Sequence, residues 1–200
     1  MPDFYEVVRG QRACRSFRPD PVAPAVLRRI LEAATHAPSA ENSQPWRFVV
    51  VTDPARRAQV GSLAERAWES GGREWSQDRL PAAMLAAVDA GARGGIAAAP
   101  VLVVVAVDTE AVVAPALHAS VWPAVQNLLL AAAAEGLGSA LTTLPAAYPR
   151  ELAAVVGLPE PVRPMAVVPV GWPAQPLTPP RRRPVDDVAH LDAWGTPLPG

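Results

Sequence analysis

The chain has few of the residues that mark disulfide-bonded, metal-binding or membrane-spanning proteins. Cys14 is the single cysteine in 200 residues, so no disulfide can form within the chain. The three histidines, His36, His118 and His190, lack the spacing of metal ligands, and we therefore expect no metal site. No apolar run reaches about 20 residues without a charge or a proline, which argues against a membrane span.

Charge of one sign is also missing. The formal net charge is −1, so we expect neither a nucleic-acid partner nor binding to an anionic membrane. The N-terminus lacks the basic start and apolar run of a signal peptide, and this predicts a cytoplasmic protein. Apolar residues make up 50% of the 200 residues, which is enough for one domain with a substantial core.

Apolar periodicity predicts helices and strands along most of the chain. We expect helices over residues 3–10, 24–35, 55–65, 121–135 and 150–156, and strands over residues 48–52, 100–107, 139–144 and 165–172. Because residues 100–107 are continuously apolar, that strand should be buried on both faces. The helix at 121–135 is apolar nearly all round, so it should lie in the core or in a subunit interface, with Gly136 as its C-terminal cap.

Residues 66–98 are the least readable part of the chain. They contain several glycine pairs and two tryptophans, Trp68 and Trp75. Two interpretations remain open. The tryptophans could belong to a lid that packs on an aromatic ligand, or they could anchor a surface helix hairpin on the core.

A polar segment at residues 37–46 separates a predicted helix from a predicted strand. Pro38 and Pro45 stop a helix from passing through it. Ser39, Asn42 and Gln44 carry hydrogen-bond donors and acceptors, which could read a planar heterocycle with alternating C=O and N–H groups. The alternative is a polar turn whose side chains cap its own backbone.

Arginines cluster near both ends of the chain. Residues 11–18 hold Arg12, Arg15 and Arg18, and residues 181–183 are a run of three arginines. Such clusters can bind an anion, because guanidinium groups match phosphate oxygens, or they can be solvated surface. Cys14, between two of these arginines, is either a small apolar side chain or a reactive thiol.

Three segments together resemble the nitroreductase family. They read A-P-S-x-x-N-x-Q-P-W followed by R-F-V-V-V, then Q-N-L-L-L-A-A-x-x-x-G-L-G-S, and finally V-P-V-G-W-P…P-P-R-R-R-P-V-D-D-V. The resemblance implies an α+β fold with a central mixed, mostly antiparallel sheet flanked by helices, in an intertwined homodimer. It implies one FMN-binding domain over residues 1–200, with residues 66–98 as a variable lid or substrate region and residues 173–200 as an arm crossing the dimer.

The resemblance also implies a set of cofactor-binding residues. Carried over position by position, they are Arg12, Ala13, Arg15, Pro38, Ser39, Asn42, Gln44, Leu141, Thr142, Thr143, Arg181 and Arg183. Arg12 and the two tail arginines would hold the FMN phosphate, the serine and amide side chains would read the ring edge and ribityl chain, and residues 141–143 would lie against the ring. Arg15 is the predicted catalytic residue, stabilising negative charge on the reduced flavin. Gln11, Leu144 and Pro145 depart from the family pattern.

The function that the resemblance implies is an FMN-dependent oxidoreductase. NADH or NADPH would give a hydride to flavin N5, and a small electrophilic acceptor, such as a nitroaromatic or a quinone, would then take it in a ping-pong cycle. The alternatives are a flavin-sequestering protein without turnover, a deazaflavin-dependent reductase, a dehalogenase or a flavin-destroying enzyme on the same fold, and a structural helical partner protein that binds no flavin.

Overall fold

The computed structural model of the chain describes residues 2–199. Over that range eight α-helices form, in chain order: α1 (Phe4–Gly10), α2 (Pro24–Thr35), α3 (Pro54–Ala67), α4 (Arg73–Gln77), α5 (Ala82–Ala90), α6 (Ile96–Ala98), α7 (Leu117–Ala134) and α8 (Pro149–Val156). The strands over the same range are β1 (Trp46–Val51), β2 (Val101–Asp108), β3 (Gly138–Ser139) and β4 (Val162–Gly171).

The strands form one sheet in the order β1-β2-β4-β3, and each neighbouring pair is antiparallel. The fold class predicted from the sequence is therefore confirmed, as helices around a largely antiparallel sheet. The parallel component is small: within residues 2–199 it is an isolated bridge between Ala13 and Ser139. This bridge brings the arginine-rich segment after α1 to the sheet edge formed by β3.

Strand β2 lies at the centre of the core, as its continuous apolar sequence predicts. Seven of its eight residues are buried. Alternate side chains point to opposite faces of a strand, so Val103 packs with α2 and α7 on one face and Val104 packs with α3 and α8 on the other. The sheet is thus covered by helices on both sides.

Helix α2 has the bounds that the sequence predicts, but α7 starts four residues before the predicted position 121, at Leu117. Pro123 favours the first turn of a helix, yet here it lies inside α7. The carbonyl left without a helical partner is that of Ala119, an exposed residue that water can reach. The predicted cap is confirmed, since Gly136 has a φ of +77° just beyond the helix.

The predicted strand at 139–144 is wrong in its extent. Strand β3 covers only two residues, and pairing with β4 resumes as an isolated bridge between Thr142 and Val167. Opposite the gap, Ala140 donates its N–H to the carbonyl of Pro169 at 3.3 Å. Proline has no N–H to return that bond, so the ladder is interrupted there.

Residues 66–98 form helices joined through two wide turns of π-helical type, Trp68–Gly72 and Gly91–Gly95. Each turn contains a glycine at positive φ, namely Gly71 at 136° and Gly94 at 142°. Trp68 is 2% exposed, whereas Trp75 is 65% exposed. Burial of Trp68 favours the anchored-hairpin interpretation, and movement of the hairpin as a lid stays a prediction.

The C-terminal segment leaves the sheet after β4 and is mostly exposed. Its first residues pair with the arginine-rich segment, because Arg18 donates its N–H to Trp172 at 2.8 Å and Ala174 donates to Ser16 at 3.0 Å. Among residues 2–199, no helix is long and apolar enough to cross a membrane, and no three His, Cys, Asp or Glu side chains are grouped as a metal site.

Candidate functional site

The segment after α1 runs as an extended chain along the edge of the sheet. Cys14 donates its N–H to the Ser139 carbonyl at 2.9 Å. Its side chain is buried against Gly138, where an added Cβ would lie 2.6 Å from the sulfur, so only glycine allows this approach. This packing fixes the backbone on either side of Cys14 and so places the neighbouring Arg15.

Arg15 lines a cavity of about 300 Å³. The walls come from the arginine-rich segment, the 66–98 hairpin and the chain after β3, and they include both Trp68 and Trp75. Within the described part of the chain, Arg15 is the only charged residue that lines this cavity. The cavity therefore suits a flat, largely apolar ligand that carries negative charge or electronegative atoms at one end.

Arg15 and Arg12 lack acidic partners. No Asp or Glu forms a salt bridge with either of them among residues 2–199. Burial, followed by the charge of Arg12, lowers the pKa of Arg15 from its ordinary value, although an arginine stays protonated at neutral pH. A half-buried guanidinium without a counter-ion is costly unless an anionic ligand completes it.

Residues 141–143 present backbone donors to the same cavity. Thr142 uses both of its backbone groups on Val167, at 3.0 Å and 2.8 Å. Because successive residues of an extended chain point their N–H groups to opposite sides, those of Leu141 and Thr143 point away from β4. Neither has a hydrogen-bond partner within residues 2–199, so both are available to a ligand.

The segment at residues 38–44, called here the 38–44 loop, holds an unusual backbone. Glu41, Asn42 and Gln44 have φ values of 53°, 55° and 46°, in the left-handed region that side chains with a Cβ rarely adopt. The Ser39 hydroxyl accepts a hydrogen bond from the N–H of Gln44 at 3.0 Å. This bond agrees with the interpretation of the segment as a turn whose side chains cap its own backbone. Strain of this kind collects at functional sites, and all three strained side chains are exposed.

The 38–44 loop does not reach the Arg15 cavity within one chain. None of its residues lines that cavity, and the loop is tied to α7 by a bond from the Ala40 N–H to the Ser120 hydroxyl at 3.1 Å. Pro38, Ser39, Asn42 and Gln44 therefore form a second group, separate from the first.

The tail arginines Arg181 and Arg183 are exposed. Neither forms a hydrogen bond or salt bridge with Arg12 or Arg15 in the described part of the chain. However, Arg12 donates to the carbonyl and the hydroxyl of Thr178, at 2.9 Å each. Three residues of extended chain span roughly 10 Å, so this anchor keeps Arg181 in the neighbourhood of Arg12.

The structure thus brings together one part of the predicted site. Arg15, Leu141, Thr142 and Thr143 line the cavity, whereas Arg12 and Ala13 line an adjacent pocket that shares Cys14 and Arg15 with it. Sequence reasoning missed Gly91 and Gly95, whose lack of side chains lets the hairpin touch Arg15: an added Cβ would lie 3.2 Å from the Arg15 side chain and 2.6 Å from its carbonyl oxygen. Both glycines are visible in the sequence, but the sequence does not show that they pack on Arg15.

Comparison with known proteins identifies the family of the chain. The sequence model described as "Nitroreductase family" matches residues 8–172. The chain is 32% identical over 176 residues to an iodotyrosine deiodinase of Thermotoga neapolitana, covering 88% of this chain and 91% of the relative. It is 54% identical over 54 residues to an NADH dehydrogenase of Thermus thermophilus, covering 27% of this chain and 26% of the relative. The crystal structure of oxidized iodotyrosine deiodinase bound to FMN and 3-iodo-L-tyrosine superposes with a TM-score of 0.76 at 28% identity, covering 97% of this chain and 100% of that one.

Proposed function

The chain belongs to the Nitroreductase family, and from that premise we propose that it is an FMN-dependent oxidoreductase. NADH or NADPH is the proposed electron donor, and a small electrophilic molecule, such as a nitroaromatic or a quinone, is the proposed acceptor. Both bind in turn at the same place, so no separate nucleotide-binding domain is needed. FMN supplies the redox chemistry when bound, and the chain supplies position and charge.

The unpaired guanidinium of Arg15 is the observation that carries this proposal. It lines a cavity with aromatic walls, and the same cavity is lined by Leu141 and Thr143, whose N–H groups have no partner among residues 2–199. A flat ring edged with carbonyl and imino groups fits such a donor set. Arg15 would stabilise negative charge on that ring, because preorganised positive charge acts strongly where water is excluded. Arg12 would bind the phosphate together with Arg181 and Arg183.

A second copy of the chain is the proposed source of the remaining contacts. Helix α1 buries none of its residues, and Phe4 and Tyr5 are 64% and 62% exposed. Large apolar side chains at such exposure favour association with a partner. In a two-fold homodimer the 38–44 loop of one subunit would face the Arg15 cavity of the other, and the C-terminal arm would cross between them.

Anaerobic stopped-flow measurement tests the proposed function. The FMN-loaded protein is mixed with NADH and, separately, with NADPH, and the flavin absorbance is followed before an acceptor is added. We expect one nucleotide to bleach the flavin and a quinone or nitroaromatic to restore its colour. A protein that stays yellow with both nucleotides would instead be a flavin-sequestering protein.

Reductive dehalogenation is a second candidate, favoured by the relative and the solved structure named above as iodotyrosine deiodinases. The same cavity would then take a halogenated aromatic ring. Release of iodide from 3-iodotyrosine by the anaerobically reduced protein would favour this candidate. Reduction of a quinone without iodide release would favour the first.

A further inference from the structure

The two wide turns of the 66–98 hairpin meet at one carboxylate, that of Asp89. The indole N–H of Trp68 donates to Asp89 Oδ1 at 2.9 Å, and the Nε atoms of Arg73 and Arg93 donate to the same oxygen at 3.3 Å each. Trp68 and Arg73 come from one side of the hairpin, and Arg93 comes from the other. Asp89 is thus bonded to both sides of the hairpin.

Trp68 forms a wall of the Arg15 cavity, and among residues 2–199 Asp89 is the only hydrogen-bond partner of its indole N–H. The indole is 2% exposed, so water cannot replace that partner easily. A buried indole N–H without an acceptor is costly, and the ring would turn or shift to find one. The orientation of this wall therefore depends on Asp89.

The hairpin also contacts Arg15, the charged residue of the cavity. Gly91 and Gly95 lie in the turn that follows Asp89, and both pack directly on Arg15. Asp89 precedes Gly91 by two residues and accepts a hydrogen bond from Arg93, which lies inside the same turn, so the carboxylate is bonded to the turn that contacts Arg15. One side chain, Asp89, thus links the aromatic wall to the cationic end of the cavity.

The charge on Asp89 suits this arrangement. The Trp68 hydrogen bond, followed by the contacts with Arg93 and Arg73, lowers the pKa of the carboxyl below its ordinary value. The carboxylate is therefore ionised at neutral pH. It accepts one hydrogen bond from the neutral Trp68 indole and one from each of the charged Arg73 and Arg93 side chains.

We propose that Asp89 is a positioning residue, which holds the Trp68 indole against the cavity and keeps the Gly91–Gly95 turn in contact with Arg15. Asp89 does not line the cavity and so acts only through these neighbours. The inference rests on the proposed function, because it assigns the geometry of the cavity in which FMN and the acceptor would bind.

Two substitutions test the role, with a matched control. Asp89→Ala removes the acceptor, and Asp89→Asn keeps an oxygen for the indole but loses the charge. Asp78→Ala removes an exposed carboxylate from the same hairpin that makes no hydrogen bond with Trp68. Acrylamide quenching of Trp68 is measured in the ligand-free proteins, as the difference between each protein and its Trp68→Phe counterpart. FMN affinity is then measured by titration.

We expect Asp89→Ala to raise the quenching of Trp68 severalfold. It should also weaken FMN binding about tenfold, because a displaced Trp68 and Arg15 would lose contacts with the ring and the loss of one hydrogen bond has that magnitude. Asp89→Asn should keep most of the protection of Trp68, and its FMN affinity should lie between those of the wild-type protein and Asp89→Ala. The control should match the wild-type protein. If Asp89→Ala does not fold, Asp89→Asn is compared with the control instead. A smaller rise in Trp68 quenching and a smaller loss of FMN affinity would then support the role of Asp89.

Quenching and FMN affinity that are both equal to those of the control would overturn the role of Asp89. If the wild-type protein binds no FMN, the proposed function fails. The quenching result then decides alone, since it needs no ligand: an unchanged value rejects the positioning role and an increased value supports it.

Discussion

The two groups of predicted cofactor-binding residues differ in how the fold treats them. Arg15 and the chain at 141–143 are far apart in the sequence, yet they line one cavity because the segment at 11–18 and the chain after β3 both border that strand, and Arg12 lines an adjacent pocket. The 38–44 loop has the more specific sequence pattern, but it lies outside that cavity and carries strained backbone instead. The first group is assembled within a single chain, whereas the side chains of Asn42 and Gln44 in the second group are exposed and lie outside the Arg15 cavity of their own chain.

This difference has a physical consequence for the proposed site. A strained loop keeps its shape only if its surroundings determine it, and bonds to α7 and within the loop do so here. The loop is therefore preorganised to present its exposed face to something outside its own chain. We infer that half of the site is complete on folding and that the other half is completed on dimerisation.

Substitution of the central cation should give the largest effect. Arg15→Ala should weaken FMN binding about 10- to 100-fold, because a hydrogen bond to a charged group contributes roughly 1.5–3 kcal/mol, and flavin reduction should also slow. Fluorescence titration and anaerobic reduction measure the two effects. Arg28→Ala, which removes an exposed arginine of α2, is the control and should change neither. Unchanged flavin content and unchanged reduction in Arg15→Ala would contradict the role.

Mixing two impaired variants, assayed at an FMN concentration too low to saturate either, tests whether the two groups act across subunits. One variant carries Arg15→Ala, and the other carries Asn42→Ala with Gln44→Ala. After dissociation and random reassociation in equal amounts, about a quarter of all sites should combine an intact cavity with an intact loop. Activity should return to about that fraction of the wild-type value, since each variant alone supplies no intact pair.

The matching control is each variant dissociated and reassociated with itself, and its activity should not rise. A mixture that also stays inactive, although hybrid dimers are detected, would mean that the loop and Arg15 serve the same subunit's site.

Relief of the strain in the 38–44 loop should give a smaller effect, which stabilises the fold while it weakens FMN binding. Glu41→Gly should raise the free energy of unfolding by up to about 1 kcal/mol, because left-handed backbone disfavours residues with a Cβ, while FMN affinity falls as the loop loosens. Glu41→Ala keeps the Cβ and the strain, and serves as the control. Urea unfolding gives the first quantity and FMN titration the second; equal stabilities of the two variants would refute the strain argument.

The thiol beside Arg15 should give the smallest effect. Burial raises the pKa of Cys14, against smaller opposing effects of the backbone hydrogen bond with Ser16 and of the charges of Arg15 and Arg12. The folded state therefore favours the neutral thiol, and its contribution to stability is full below the ordinary thiol pKa and is lost as the pH rises above it. Iodoacetamide should modify native Cys14 more slowly than the urea-unfolded chain at each pH from neutral to mildly alkaline. Equal rates would identify it as a reactive thiol.

Much of the fold follows from local patterns. Helix α2 begins at Pro24 because proline is accommodated in a first turn, and β2 is central because seven residues in succession lack a solvated face. The short extent of β3 was not predictable from its own residues, since its cause is Pro169 in the partner strand. The early start of α7 likewise depends on tertiary contacts, such as that of Ser120 with the 38–44 loop.

The candidate site shows the same division. The residue types of the arginine-rich segment and the 38–44 loop indicated an anionic, planar ligand, because those preferences are local chemistry. Which of them meet was not predictable, since proximity depends on how β3 and β4 pair across the chain. Asp89 carried no sequence signal at all, because its role depends on an indole 21 residues earlier in the chain.

Titration of the ligand-free protein with FMN tests the central claim most directly. If arginines and backbone donors surround the flavin beside Trp68, saturating FMN should quench tryptophan emission and raise the melting temperature, since a ligand that binds only the folded state stabilises it. The Arg15→Ala variant should need a much higher FMN concentration for the same change. Tryptophan emission and a melting temperature that do not respond to saturating FMN would contradict the account.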